Sequence, residues 1–514
     1  MQRKQLTLVI VSLLVLVLSV SLAYFTAQII GKGKDVSVTS ANLQIVFTDS
    51  DGAISGSNIE PGWSDTKTFT VENNSKSEYK YNIVIKDLLN TFVTEGSLQY
   101  TITSTNNGYN MTEFKDIPKS SVATDTILAY SVVIPNGETQ SYTIEFKYAN
   151  DESVDQSDDM GKKLSGTLFI TEGTEEPTFY STLLSDRGIA TTNRTTFNAA
   201  FDSTDQVLYT AKEDNKTVYY FAGNVTTNWV KFGKNENNQD LYWRIIRTNS
   251  DGGVRLLYHG TSTTATDAYI GTSKFNETYN NSMYVGYMYG TSGSQASNRT
   301  NTNNSTIKTA IDNWYANNMI SYTKYLSTTA VYCNDREVES GTYSATGSSF
   351  YYVALTRLGL NKTPTYTCTN TDDKFTVDSS TGNGKLTHPI ALMTADEISY
   401  AGGIYGNYNA NAWYFRNAKE GTLTTSSSST DASYSSTGST WWWLLSPYFW
   451  NESSALVFGV YGSSYSGSLN GNDGYVNRTY GVRPAVSLKS CVKTSGGDGS
   501  ASDPYTIKET TSGC

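Results

Sequence analysis

The sequence predicts a mainly β protein with few helices, in which an N-terminal antiparallel β-sandwich is followed by an α+β domain. Three observations carry this expectation. Short stretches of apolar and polar alternation, separated by turn residues, recur from Val36 onward. Tyr and Trp number 38 and 9 in a chain only 17% charged, a composition that suits strands and contact surfaces. With 514 residues, 9 Pro and 41 Gly, the chain can bury more than one core and is not collagen-like or disordered.

The charge balance narrows the function. Lys and Arg number 38 against 48 Asp and Glu, a net charge of -10, which argues against a binder of nucleic-acid phosphates. His259 and His388 are the only histidines. That scarcity excludes His-rich metal centres and leaves little for histidine acid-base chemistry. No metal, cofactor, nucleic-acid partner or catalytic residue is expected.

Gln2-Arg3-Lys4 precedes an uncharged stretch from Leu6 to Ala27. Positive-then-apolar order is that of an export signal, which places the protein at the cell surface or in the medium. Residues 1–30 are read as this segment. Ser21-Leu22-Ala23 offers the small residues a signal peptidase needs, while the length also suffices for a retained anchor, the one contact expected with a membrane. The even count of cysteines agrees with export. Pairing Cys333 with Cys368 and Cys491 with Cys514 closes two local loops, although four cysteines permit three connectivities.

Residues 31–173 form the expected sandwich. Leu43-Gln44-Ile45-Val46-Phe47, Lys67-Thr68-Phe69-Thr70-Val71, Tyr81-Asn82-Ile83-Val84-Ile85 and Tyr142-Thr143-Ile144-Glu145-Phe146 each read as a strand. The segments Leu22-Ala23-Tyr24-Phe25-Thr26, Ala41-Asn42-Leu43-Gln44-Ile45, Asn58-Ile59-Glu60-Pro61-Gly62 and Phe69-Thr70-Val71-Glu72-Asn73 resemble the TasA/camelysin family of exported matrix and fibre proteins. The resemblance covers about the first third of the chain and implies self-assembly through the sandwich. The acidic run ending in Glu175-Glu176-Pro177 closes it, and residues 174–204 are expected as a linker with a short helix from Phe179 to Asp186.

The second domain is expected over residues 205–508, with 509–514 as a tail. Tyr242-Trp243-Arg244-Ile245-Ile246-Arg247 turns at Asn249-Ser250-Asp251-Gly252-Gly253 into Val254-Arg255-Leu256-Leu257-Tyr258, a hairpin pattern. Ile307, Ala310, Ile311, Trp314 and Tyr315 repeat at helical spacing behind Ser305 as cap, and Thr394 caps Ala395 to Ala401 before Gly402. An apolar helical face of this kind belongs to a core. The calcium-loop spacing from Asp49 to Glu60 fails at Ala53 and Ile54.

From Tyr448 to Tyr480, 21 of 33 residues are Tyr, Ser, Gly, Asn or Asp. Paratopes use this vocabulary, because flat aromatic rings contribute contact area at low entropy cost. Hairpin turns use it too, as at Asn470-Gly471 and Asp473-Gly474. The flanking frame comprises Cys333-Asn334-Asp335-Arg336, Ile390-Ala391-Leu392-Met393-Thr394, Trp443-Leu444-Leu445-Ser446-Pro447 and Gly481-Val482-Arg483-Pro484. It resembles a family of bacterial surface domains ending in Gly-Val-Arg-Pro, similar in turn to C-type-lectin-like folds. Some proteins of that fold, diversified by retroelements, carry a variable ligand-binding stretch near the carboxyl end.

The resemblance implies ligand contacts at Tyr448, Phe449, Trp450, Asn451, Tyr461, Ser463, Tyr465, Asn470, Asn472, Asp473, Tyr475 and Asn477. It points to adhesion to an extracellular glycan or protein, without catalysis. Two alternatives stand beside this reading: a structural subunit of an extracellular matrix or fibre, and a lectin-fold enzyme using paired carboxylates among Asp335, Glu337, Asp396 and Glu397, which otherwise serve as caps or ion pairs.

Overall fold

The computed structural model describes residues 36–40, 43–49, 53–55, 60–94, 96–265, 268–340, 342–406, 412–415, 441–461 and 467–514. The expected export segment lies outside them. Among the described residues no helix is long and apolar enough to cross a membrane. The chain is mainly β and divides into two compact units, Met1–Glu176 and Pro177–Cys514.

In the first unit, one sheet runs in the spatial order Val36–Ser40, Leu43–Asp49, Ser64–Asn73, Thr139–Tyr148, Leu98–Ser104, Met111–Asp116, with every neighbouring pair antiparallel. A second sheet runs Ala53–Ser55, Leu164–Glu172, Tyr79–Asn90, Ser120–Ile134. Strict alternation along Thr139–Tyr148 turns Gln140, Tyr142, Ile144, Phe146 and Tyr148 inward. They meet Ile83, Ile85, Ala129 and Leu168 of the other sheet in one core, which makes the unit a sandwich. Gln140 is polar yet buried, because its amide accepts from the Tyr81 hydroxyl at 2.7 Å and donates to two backbone carbonyls.

The second unit holds two larger sheets. One runs Ile390–Leu392, Pro484–Leu488, Val254–Gly260, Asp240–Thr248, Trp229–Lys234, Tyr505–Ile507, Thr494–Gly496, with the hairpin of Tyr209–Glu213 and Lys216–Tyr220 joined to Asp240–Thr248. The expected hairpin forms, pairing Asp240–Thr248 with Val254–Gly260. The other sheet runs Thr272–Lys274, Thr479–Gly481, Trp442–Trp450, Phe350–Tyr352, Val338–Ser340, and Ala455–Val460 pairs with Trp442–Trp450.

Both expected helices form where their caps stand. Ser305 Oγ accepts from the Lys308 N–H at the start of Thr306–Asn318, and Thr394 closes a capping box with Glu397 before Ala395–Ala401. The segment expected as a linker splits. From Pro177 it belongs to the second unit, because Phe179 and Leu183 of the Phe179–Arg187 helix are buried in that unit's core.

All three residues of the Trp441-Trp442-Trp443 run are core residues. Arg483, fully buried, donates to the Tyr258 and Tyr414 carbonyls and meets His259 Nδ1 at 3.0 Å, so carbonyls are its partners. Its guanidinium also lies 5.2 Å from the Trp442 ring centre. Burial pushes Arg483 down to about 9 and, together with Arg483 and Arg244, holds His259 well below the usual histidine range.

Two disulfides, Cys333–Cys368 and Cys491–Cys514, close loops across sequence separations of 35 and 23. Each is worth about 3 to 4 kcal/mol when loop-closure entropy is counted. Reduction is expected to lower the denaturant midpoint of the second unit by a corresponding amount. An unchanged midpoint after complete reduction, verified by thiol counting, would contradict this.

Candidate ligand-binding face

The structure divides the twelve expected contact residues. Trp450 is fully buried, donating its Nε1–H to the Gly347 carbonyl at 3.0 Å, and is a core residue rather than a contact. Asn470 is buried as well. Its Oδ1 accepts from the backbone N–H groups of Gly471 and Asn472 at 2.7 and 2.8 Å, so it builds the turn. Asn451 does the same for Ser453 and Ser454, at 3.2 and 2.7 Å. Trp450 and Asn470 are thus corrected to structural roles, while Asn451 braces its turn and stays half-buried. Ser463 and Tyr465 lie outside the described residues.

Tyr461, Asp473 and Tyr475 form a latch. The Tyr461 hydroxyl bonds to the Asp473 carboxylate, Arg478 pairs with Asp473 at 3.2 Å, and the Arg478 guanidinium lies 4.8 Å from the Tyr475 ring centre. Tyr461 and Tyr475, both half-buried, pack against the main core. Asn477 is half-buried nearby in the chain. Most of the stretch thus serves itself, as hairpin chemistry does.

What remains open is a narrower face. Phe449 pairs across strands with Tyr351, and the two rings stack at 4.8 Å between centroids. Tyr351 is 47% exposed and Phe449 is half-buried. Beside them, Tyr448 contacts Phe449 at 6.3 Å, Phe458 at 5.0 Å and Tyr405 at 5.9 Å. The Tyr448 hydroxyl lies 2.6 Å from that of Tyr405 and donates to Oδ1 of the exposed Asn472 at 2.6 Å. Burial, foremost, raises the Tyr448 phenol well above the ordinary tyrosine range. Irregular pairing around Pro447 interrupts the period-2 pattern along Trp442–Trp450, which breaks the simple inward and outward alternation.

The turn at Gly471 is fitted to this ring. A Cβ there would lie 2.1 Å from the Tyr448 ring, a distance no side chain tolerates. A π-helical turn, Thr356–Asn361, borders the far side, with Gly359 against the Tyr405 ring and Leu360 78% exposed. Tyr351, Tyr405 and Leu360 lie far along the sequence from residue 448. They carry no local pattern that could have placed them in the site.

Three of the carboxylates named for an enzyme reading, Asp335, Asp396 and Glu397, line a cavity elsewhere with room for about 20 Å³, the scale of one water. Arg357 donates to both oxygens of Asp396, at 2.8 and 2.7 Å, and meets Asp335 at 2.8 Å. Glu397 accepts from Arg247 and Arg255 at 3.0 and 2.8 Å, and Glu337 meets Arg299 at 3.1 Å. Burial, with Asp396 adding to it and Arg357 opposing, pushes Asp335 up to about 6. Glu213 goes the other way. Burial disfavours its charge, yet Arg247, Arg255 and the Ser250 N–H together outweigh burial and hold it down to about 2.

A family described as a domain of unknown function, DUF6273, matches residues 266–490. The match takes in Tyr351, Tyr405, Phe449 and Asn472, and covers less than half of the chain. No curated protein matches the chain.

The ion network sets an acid response with a definite sign. Glu213 titrates near 2 in the fold against an ordinary 4.5, so its stabilisation is complete above pH 4.5 and is lost as pH falls through 2. Asp335, raised to about 6 from 3.8, acts oppositely and favours the fold as pH falls through that range. Glu213→Gln should therefore flatten the loss of stability between pH 4.5 and 2. Denaturant midpoints that fall in parallel for variant and parent over that window would refute the assignment.

Proposed function

We propose that the protein is exported and binds an extracellular glycan or protein ligand, without catalysis, through the Tyr351–Phe449 face of its second unit. One observation carries the reading. Two stacked aromatic rings, one nearly half exposed, stand near an exposed amide, and partly buried hydrogen bonds tie their neighbour Tyr448 to Tyr405 and to that amide. Rings held in this way contribute contact area with little further loss of entropy. The two disulfides fit an oxidising compartment, as does the positive-then-apolar start of the chain. The surface-domain and lectin-like resemblances favour the same use. Arginine clamps on Asp335, Asp396 and Glu397 weigh against a catalytic pair there.

A second reading, self-assembly of the sandwich into a matrix or fibre, draws on one strand. Ser120–Ile134 ends its sheet, pairs only with Tyr79–Asn90 among the described residues, and leaves Val122 70% exposed. Such an edge can template another strand.

Screening the full-length protein against extracellular glycans and proteins tests the first reading. Tyr351→Ala with Phe449→Ala should weaken binding at least tenfold, about 1.4 kcal/mol, while the protein stays folded, with the exposed Tyr351→Ala alone giving a smaller loss at an unchanged melting temperature. Trp450→Ala should instead destabilise the fold by about 3 to 5 kcal/mol. Binding that survives loss of both face rings would remove the face from the function. Filaments that persist at high dilution and vanish in Val122→Lys would favour the fibre reading.

A further inference from the structure

Between the Phe179–Arg187 helix and the Tyr209–Glu213 strand, residues 190–207 form neither helix nor strand. An irregular stretch of this length is uncommon in a compact domain and usually serves a function. Its two ends meet, because Leu208 bridges Ile189 and exchanges backbone hydrogen bonds with Gly188 and Ala190 at 3.1 and 2.9 Å, which closes the stretch into a loop. Asn193 fixes the loop on one side through two bonds to the Thr210 backbone, at 2.8 and 3.0 Å. Phe201 and Ser203 fix it on the other, through Gly402 at 3.0 Å and Asn224 at 2.7 Å. The frame is shaped to this second anchor, since a Cβ on Gly402 or Gly223 would lie 2.4 Å from the Phe201 or Ser203 carbonyl. Between the anchors, among the described residues, the backbone from 194 to 200 makes no hydrogen bond, and Thr195, Thr196, Asn198 and Ala199 are exposed.

Side chains alone hold this middle part down, and Arg194 is the informative one. Its guanidinium lies 4.5 and 4.3 Å from the ring centres of Phe197 and Phe201 and donates to the Tyr400 carbonyl. The two phenyl rings pack on a cluster of four frame tyrosines, Tyr209, Tyr220, Tyr366 and Tyr400. Those tyrosines are fixed independently of the loop. Tyr400 donates to the Pro364 carbonyl at 2.9 Å and stacks on Tyr366 at 4.1 Å between centroids, while the Arg247 guanidinium covers Tyr366 at 4.5 Å. Burial, foremost, lowers the Arg194 pKa, and the Tyr220 phenol is near enough to oppose this. Among the described residues no carboxylate pairs with Arg194. A cation drawn out of water ordinarily carries a counter-charge. This pocket instead takes a guanidinium by ring faces and neutral oxygens alone, which is how aromatic cages bind organic cations.

Arg194 therefore stands in for a ligand, its guanidinium filling the place that the same group on another molecule would take. We propose that residues 194–200 are a flap over a binding site for the guanidinium of an arginine-bearing ligand, with Arg194 as the internal competitor. Lifting the flap gives up no backbone hydrogen bond and leaves the four tyrosines and the Tyr400 carbonyl in place. The net charge of -10 favours the approach of a cation. Because the pocket is open only while Arg194 is out of it, the affinity met by an external ligand is reduced by the open fraction. The inference stands whether or not the Tyr351–Phe449 face binds anything.

Calorimetric titration of the full-length protein with N-acetylarginine amide, and with N-acetylcitrulline amide as its uncharged isostere, tests it. Arg194→Ala removes the competitor and should bind the arginine probe at least tenfold more tightly than the parent, while the citrulline probe binds neither protein. Tyr220→Phe, added to Arg194→Ala, should weaken the arginine probe about tenfold, because it deletes only a hydroxyl beside the charge. In the parent, labelled with isotopic arginine for NMR, the Arg194 Nε–H signal should leave its ring-shifted position as the arginine probe is added, a readout that needs no folded variant. An Arg194→Ala protein that binds no more tightly than the parent, or only melts earlier and binds nothing, would mark a purely structural arginine and overturn the proposal. Equal binding of the two probes, no effect of Tyr220→Phe, or an Arg194 signal that stays in place would overturn it as well.

Discussion

Glu397 holds the second unit together. From the third position of the Ala395–Ala401 helix its carboxylate reaches back to the Thr394 N–H at 3.0 Å, and its other oxygen accepts from arginines on two adjacent strands. Removing it would leave two buried guanidinium groups without that counter-charge, a loss of about 3 to 5 kcal/mol. Arg247 continues to Glu213, so one carboxylate couples a helix cap, the large sheet and the hairpin beside it. Arg357 repeats the device with Asp335 and Asp396, in the same cavity that Cys333 of the Cys333–Cys368 bridge lines. Arg483 is held differently, by carbonyls, His259 and the face of Trp442.

This rigid interior explains why so little of the aromatic-rich stretch remains free. Once Trp450 and the Trp441-Trp442-Trp443 run are committed to the core, neighbouring rings must either pack on them or emerge at the sheet surface. Tyr448 takes an intermediate place, its ring inside and its hydroxyl linking Tyr405 to Asn472. Phe449 emerges, and Tyr351 on the neighbouring strand covers it. Surface and core rings therefore share a single strand.

Legibility followed the range of the forces involved. The Asp240–Thr248 hairpin, both capped helices and both disulfides arise from interactions within a few tens of residues, and spacing and turn chemistry reveal them. The outward face depends on strand neighbours about a hundred residues apart, Phe350–Tyr352 and Trp442–Trp450, together with irregular pairing around Pro447. Composition could not separate buried, turn-building amides from exposed ones, since Asn470 and Asn472 sit two positions apart in different environments. The helix from Phe179 joined the second core through the buried Phe179 and Leu183, with Tyr180 and Leu184 packed partly buried beside them, a contact with distant strands that its own short segment does not announce.

The close seat of Gly471 on the Tyr448 ring gives the neighbouring loop an uneven tolerance for change. Residues 470 and 471 act as a fixed pivot, whereas exchange at the solvent-facing Asn472 gives up one hydrogen bond, the one its side chain accepts from Tyr448, and meets no packing obstacle of the kind at Gly471. Anyone randomising this hairpin to obtain new binding specificities would find the usable alphabet wide at its tip and almost closed one step before it.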